Sequence, residues 1–413
     1  MEKEGKTAFR AAHEAELRRL LAHYERQLLG EVVPFWETRV ADTEYGGYFN
    51  YFDRQGNRFD DKKPGWFAGR TLYTFGALYN ELAPKENWLA LAAAGRRYME
   101  VYSAGNGRFN RMMSREGKVL EGPTSIFTDH FAVKGLYEFL KATNACPEGP
   151  GVQWAKKLTD TLFANVKNPA ILAGECPKGY QKHAITFMTL LVACESSKIF
   201  ESAYFSVVDE YLSRSLYLFA NDAHEAQFEY VGENGAPKLV GPGRLVDPGH
   251  TLESCWFAMA EAVRRKDDTI LKRVKTIINW TLARCYDEAC GGFFQHCDVD
   301  ARRPEAPFLI NDYAGVPAAW DDKIWWVQCE ALLALGMSAL LNEDERHYRY
   351  FMKMHDYTEN AFHDKTYGEW YSILKRDGTV SCDYKGFELK GAYHVPRCLL
   401  KMVLLLRNYL AQE

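Results

Sequence analysis

The sequence predicts an all-α protein in which six helical hairpins close into an inner and an outer ring, an (α/α)6 barrel. Three observations carry that prediction. Apolar residues recur at helical spacing along almost the whole chain, strict alternation of apolar and polar residues is scarce, and loop-like segments return roughly every 60 residues. The alternative is an irregular helical array whose loops match by coincidence.

The elements follow in order. Leu17, Leu20, Leu21, Tyr24 and Leu28 mark one face of a first helix, and Leu72, Phe75, Leu78, Tyr79 and Leu82 mark a second. Trp88 to Tyr102 is a third, with Leu89, Tyr98 and Val101 on its apolar side, and His394 to Leu410 closes the chain as another. Between helices lie segments of turn residues and aromatics starting at Asp42, Asn106, Asn168, Glu229, Asp287 and Asp364. Glycine pairs or Asn-Gly in several of them favour tight, hairpin-like reversals; the segments at Asn106 and Asn168 are the weaker matches. A unit of this length holds two ordinary helices with their connections. No Pro-, Gly- or Ser-rich linker divides the chain, so residues 1–413 are predicted as one domain.

Composition narrows the function. A hydrophobic content of 47% over 413 residues is ample for a large core. A net charge of -4 and the absence of a basic stripe exclude the usual electrostatics of nucleic-acid binding. Ten scattered cysteines form no CxxC pair and no zinc-finger spacing, which reads as reduced thiols. The charged first twenty residues lack a signal peptide's apolar run, and no stretch approaches the ~18 apolar residues of a membrane span. A cytoplasmic protein without a nucleic-acid or membrane partner is expected.

Five strings could carry chemistry. In PGHTLES, His250 and Glu253 are three apart near a predicted helix start, so they are neighbours on one face. A carboxylate raises an imidazole's basicity and the helix N-terminus lowers it; a balance near pH 7 would suit a general base. In KGAYHVPR, His394 stands beside Arg397 at another helix start, with Pro396 in its first turn and Gly391 implying a tight approach. In WDDKIWWVQCEA, Trp325 and Trp326 point about 100° apart on a helix, so one can face the core and the other a pocket; Lys323 and Glu330 flank them. In GWFAGRTLYTF, Trp66 precedes Arg70, whose burial demands an acid such as Glu253 or Glu229, or a polar cavity. In YGEW, Glu369 is a candidate polar group of a loop. Each also has a structural reading: a capping or core histidine, a core tryptophan cluster, a turn residue.

Together these strings resemble the N-acylglucosamine 2-epimerase family, which also holds cellobiose 2-epimerases and mannose-modifying enzymes. The likeness runs from Tyr45-GGYF and Trp66-FAGR through Glu229-YVGENG, Gly243-RLVDPGHTLESCWF and Lys323-IWWVQCEA to Tyr367-GEW, Lys385-Gly386 and Gly391-AYHVPRCL. PGHTLE and HVPR look closer to the N-acylglucosamine branch than to the cellobiose branch. The resemblance implies the six-hairpin barrel, a homodimer, and His250 and His394 as the two acid/base residues. It places Arg70 near the reacting carbon and Glu253 in support of His250. Trp66, Glu229, Lys323, Trp325 and Glu369 match positions that bind substrate. The chain departs from the pattern at Ala68, where the family usually has Gln, at Thr128-Asp-His-Phe, which puts His130 in place of a more usual Cys, and at His183-AITFMTLL.

The chemistry implied is inversion of C2 of an open-chain aldose. One histidine removes the proton made acidic by the C1 carbonyl, and the other returns one to the opposite face of the enediolate. No metal or nucleotide is required. Some members of the family respond to ATP as an effector, and this chain has no P-loop. Mannose, glucose and cellobiose are alternative sugars, and aldose–ketose isomerisation shares the enediolate. A glycoside hydrolase or a non-catalytic sugar-binding protein are the rival classes, because helical barrels host those as well.

Overall fold

A computed structural model describes residues 7–300, 303–304, 310–313 and 316–411. Twelve helices of nine residues or more alternate between two rings among these residues. The outer ring is α1 (Ala8–Gln27), α3 (Glu86–Tyr102), α5 (Pro150–Asn165), α7 (Phe205–Ser213), α9 (Asp268–Cys285) and α11 (Glu345–Tyr357). The inner ring is α2 (Gly65–Ala77), α4 (Ile126–Ala142), α6 (His183–Phe200), α8 (Pro248–Arg265), α10 (Trp325–Asn342) and α12 (His394–Ala411).

Burial separates the two rings as the patterning demands. Outer helix α5 buries Val152, Ala155, Leu158, Thr159 and Leu162, a single stripe at helical spacing. Inner helix α6 is buried without a break from His183 to Ala193, because it has neighbours on every side. Inner helices pack in sequence order, α2 on α4 and so on to α12. The ring closes where Thr74 of α2 donates to the Ala392 carbonyl just before α12, at 2.7 Å. Each outer helix packs on the inner helix before it, and the sixth hairpin joins the chain ends: α1 packs on α12, with Arg10 donating to the Leu410 carbonyl at 2.8 Å. Helices α2 and α4 approach most closely at Gly69, where a Cβ would come within 2.2 Å of the Phe131 backbone.

The expected hairpin loops are present as short strands paired in twos and threes. Three loops share one construction. Asp42, Asp287 and Asp364 each accept two backbone N–H groups of their own turn. Each also binds a lysine of zero exposure on the segment leading into the next inner helix: Lys63 at 2.9 Å, Lys323 at 3.0 Å and Lys385 at 3.0 Å. Each takes an arginine from the following loop, Arg115, Arg376 and Arg54. The last of these, Arg54 on Asp364, ties the sixth unit back to the first. Gly46–Gly47 and Gly291–Gly292 turn at positive φ; the equivalent third pair is Gly368–Glu369. The segment at Asn168 does not form such a hairpin. It carries the short helix Pro169–Leu172, with Asn168 as its cap.

No helix among the described residues is long and apolar enough to cross a membrane. All ten cysteines are unpaired.

Candidate active site

The N-terminal ends of the inner helices converge on one cavity of about 390 Å³. Trp66 and Arg70 come from the first turns of α2, His250 and Glu253 from those of α8, Trp325 and Trp326 from α10 and His394 from α12. Lys182 stands one residue before α6. Helix N-termini present unsatisfied N–H groups and positive potential, so the cavity favours negative charge that develops within it.

His250 and His394 both approach Trp326, with ring centres 5.2 and 5.8 Å from the indole. Their surroundings differ. His250 is the third residue of α8, whose cap is Asp247; that carboxylate accepts from the His250 backbone N–H at 3.0 Å and lies 3.2 Å from Nδ1. Glu229 approaches the same nitrogen at 3.0 Å. Nδ1 is thus committed, and Nε2 is the nitrogen left for chemistry. Burial opposes charge on this ring, but Asp247 and Glu229 outweigh it and raise the imidazolium pKa to about 9.

His394 is almost fully buried. Its Nδ1 donates to Glu330 at 2.8 Å, which leaves the Nε2 lone pair available. Glu330 is held rigidly, since its other oxygen accepts from Trp256 Nε1 at 2.7 Å. Arg397 binds both Glu330 at 2.6 Å and Glu253 at 2.7 Å. Burial first, then the guanidinium groups of Arg397 and Arg70, holds the His394 pKa well below the ordinary histidine value. One imidazole of the pair is therefore charged at neutral pH and the other is not.

Arg70 is buried among Trp66, Phe67, Phe131 and Tyr393, whose ring centres lie 4.0–5.2 Å from its Cζ. It forms no ion pair among the described residues, and its Nε is unpartnered. Of the two environments the sequence allowed, it takes the polar cavity rather than an acid. Burial lowers its pKa to about 10, so it remains a cation, and it faces a cavity without its own counter-ion.

Of the expected residues, Trp66, Arg70, Glu229, His250, Glu253, Trp325 and His394 line the cavity. Three assignments are corrected. Glu253 turns to Arg397 on α12, and the carboxylates at His250 are Glu229 and Asp247. Lys323 is buried against Asp287 and does not line the cavity. Glu369 is also fully buried; it accepts from Trp36 Nε1 at 2.9 Å and pairs with Lys390, which holds it at a φ of 57° where the equivalent loops have glycine. His130 is a core residue bonded to the Ile126 carbonyl and Thr189. Asp247 and Lys182 line the cavity without having been singled out from the sequence, while Trp326 and Glu330 come from the string WDDKIWWVQCEA. Asp247 was legible as the cap before Pro248, and Trp326 as the partner of Trp325; the fold alone selects Lys182.

Two groups of carboxylates and histidine have ligand atoms within 4.8 Å of one another: Glu229, Asp247 and His250, and Glu253, Glu330 and His394. In the second, Arg397 already bonds both carboxylates and supplies the positive charge. The first has the oxygen and nitrogen donors a divalent cation would use.

The described geometry belongs to a known group of proteins. The N-acylglucosamine 2-epimerase (GlcNAc 2-epimerase) family model matches residues 47–398. N-acylglucosamine 2-epimerase of Homo sapiens is 28% identical over 403 residues, covering 94% of this chain and 90% of the relative. Among solved structures, cellobiose 2-epimerase from Spirochaeta thermophila superposes with a TM-score of 0.79 at 18% identity, covering 98% and 99% of the two chains. A D-mannose isomerase superposes with a TM-score of 0.76 at 15% identity, over 94% and 98%. The chain is an isomerase of the N-acylglucosamine 2-epimerase family.

Proposed function

We propose that this protein interconverts the C2 epimers of an aldose, with N-acylglucosamine and N-acylmannosamine as the pair, by proton transfer through two histidines. The observation that carries the reading is the meeting of two imidazoles beside one indole at one cavity, each with Nδ1 held by a carboxylate, and burial and neighbouring charge push their pKa values in opposite directions. Groups whose pKa values are pushed apart in a shared site suit complementary acid and base roles. The likeness to the human N-acylglucosamine enzyme supports the choice of sugar.

The open-chain sugar binds with C2 between the imidazoles. Neutral His394 takes the C2 proton through Nε2, and the C–H electron pair moves into the C1–C2 bond as the carbonyl oxygen becomes an enediolate. Arg70 and the helix N-termini stabilise that oxyanion. The His250 imidazolium then delivers a proton to the opposite face of C2, and exchange with water restores both rings. Glu330 and Glu229 fix which nitrogen of each ring works. The reverse reaction exchanges the two roles, so in both directions the pair carries one proton in total.

The chemistry runs on these side chains without a metal, and no nucleotide is consumed. Activity that survives prolonged chelation and gel filtration supports this; loss restored by a divalent cation contradicts it. A homodimer in the cytosol belongs to the same proposal, and light scattering and a fluorescent fusion test it.

A hydrolase needs two carboxyl groups across a glycosidic bond. The carboxylates of this cavity are committed to His250 and Arg397, which favours the epimerase reading. The test is proton NMR in deuterated water with N-acetylglucosamine, N-acetylmannosamine, glucose, mannose and cellobiose. The expected result is loss of the C2 proton signal with appearance of the 2-epimer, fastest for the N-acetylated sugars. Cleavage of cellobiose, a ketose product, or no exchange with any sugar would refute it.

A further inference from the structure

Beside Arg70 and the His250 imidazolium, Lys182 is a further cation at the cavity, and the epimerisation has no use for it. Its strand, Tyr180–Lys182, pairs with Tyr230–Gly232, which sets Lys182 opposite Tyr230 and beside Glu229. Glu229 is turned to His250, and the Lys182 side chain forms no hydrogen bond or ion pair among the described residues, although its charge helps to lower the Glu229 pKa. Its Nζ instead stands 5.3 and 5.8 Å from the ring centres of Phe127 and Tyr230.

Lys182 also lines a second and larger space. A cleft of about 820 Å³ is lined by the whole of this strand, Tyr180–Lys182, and shares Lys182 alone with the catalytic cavity. Lys178 of its wall likewise has no carboxylate partner, and Arg214 bonds only the neutral side chain of Gln181; Glu233 is the one acid of the lining. A neutral aldose offers no charge to match this junction. An anionic group on the sugar does, through charge-assisted hydrogen bonds.

We propose that the preferred substrate is an acidic derivative of the N-acylated pair, carrying a phosphate or a carboxylate at the end remote from C1 and C2, and that Lys182 recognises that group where cavity and cleft meet. The inference rests on the epimerase reading for the placement of C1 and C2 and adds the substrate's charge class. Arg70 answers the charge that develops during reaction, and Lys182 answers a charge present throughout. The first governs turnover and the second affinity.

Binding separates this inference from the reaction itself. Trp66, Trp325 and Trp326 line the cavity, so quenching of tryptophan fluorescence reports occupancy without turnover. The ligands are N-acetylmannosamine, its 6-phosphate, an N-acetylated aminohexuronate, and inorganic phosphate as a control. At low salt, one or both anionic sugars are expected to bind at least tenfold more tightly than the neutral sugar, a preference that shrinks at high salt. The phosphate and carboxylate arms identify the substituent. Lys182→Met, checked for folding by circular dichroism, should bring the anionic-to-neutral affinity ratio near one, and Lys182→Arg should keep most of it. Equal affinities in the native protein, or an unchanged ratio in Lys182→Met, would overturn the proposal. Deuterium exchange into the neutral sugar without any preference for anions refutes this inference alone. Selective anion binding without exchange into any sugar refutes the epimerase reading instead.

Discussion

His250 and His394 occupy matching places, the first turns of two inner helices, yet the walls behind them are built differently. Behind His250 stand two carboxylates and no cation in contact, and a quarter of its side chain is exposed. Behind His394 stand Glu330 in contact and Glu253 within 4.8 Å, both paired with Arg397, and 7% of its side chain is exposed. A helix N-terminus disfavours the charged form of both rings. At His250 the carboxylates outweigh that effect, whereas at His394 Arg397 takes up the charge of both Glu330 and Glu253. The position of a cation, more than the position on the helix, divides the proposed acid from the proposed base.

The comparison breaks most sharply if either ring is removed. His394→Ala and His250→Ala should each lower kcat by ~10²- to 10⁴-fold with an unchanged circular dichroism spectrum. Near-native turnover in either variant contradicts the assignment. Arg70→Met should cost ~10²- to 10³-fold in kcat/KM, as removal of an oxyanion donor does. Arg70 has no acid partner to orphan, so the melting temperature should hardly fall; a large fall would mark it as structural.

The pH profile sharpens the comparison. In the proposed mechanism, turnover in the direction that starts at His394 needs His394 neutral and His250 protonated. Activity should therefore fall on the acid side as His394 gains a proton, below the ordinary histidine value, and on the alkaline side as His250 loses one at about 9. Asp247→Asn removes one of the carboxylates holding the His250 proton, so its alkaline limb should move to lower pH while its acid limb stays. An unmoved alkaline limb contradicts the assignment of that limb to His250.

The smallest effect on catalysis is expected at Lys323. Lys323→Met leaves Asp287 buried with Arg376 as its remaining cation, and breaking a buried pair costs ~3–5 kcal/mol. Denaturant melts should show that loss, while the folded fraction keeps its KM. A raised KM at full stability would return Lys323 to the substrate pocket.

Lys323 and Glu369 also mark where sequence reasoning reaches its limit. Both lie in strings that resemble a sugar site, and both are interior polar groups that pin loops. Spacing along a chain does not say which side of a two-residue strand a lysine faces, and Asp287 lies 36 residues away. Glu253 is the same case on a helix. Its offset from His250 marks them as neighbours, but Arg397, 144 residues on, offers full charge and takes the carboxylate. What was legible is local. The apolar faces at helical spacing, as on the first helix and on Leu72–Leu82, and the glycine turns near Asp42 and Asp287 follow from periodicity and backbone sterics. The tight approach at Gly391 was equally readable, since a Cβ there would meet Asn50 Oδ1 at 2.0 Å. The joining of α1 to α12 was not, because ring closure is a long-range contact with no local signature.

Hydrogen exchange by single-histidine variants tests the central claim most directly. Each pure epimer is incubated in deuterated water with His394→Asn or His250→Asn, and the C2 position is followed by NMR. If the two rings face opposite sides of C2, each variant keeps one ring. It should then exchange the C2 hydrogen of one epimer only, a different one for each variant, without forming the other epimer. Exchange of both epimers by one variant, or continued interconversion by either, would show that a single base serves both faces and would contradict the account.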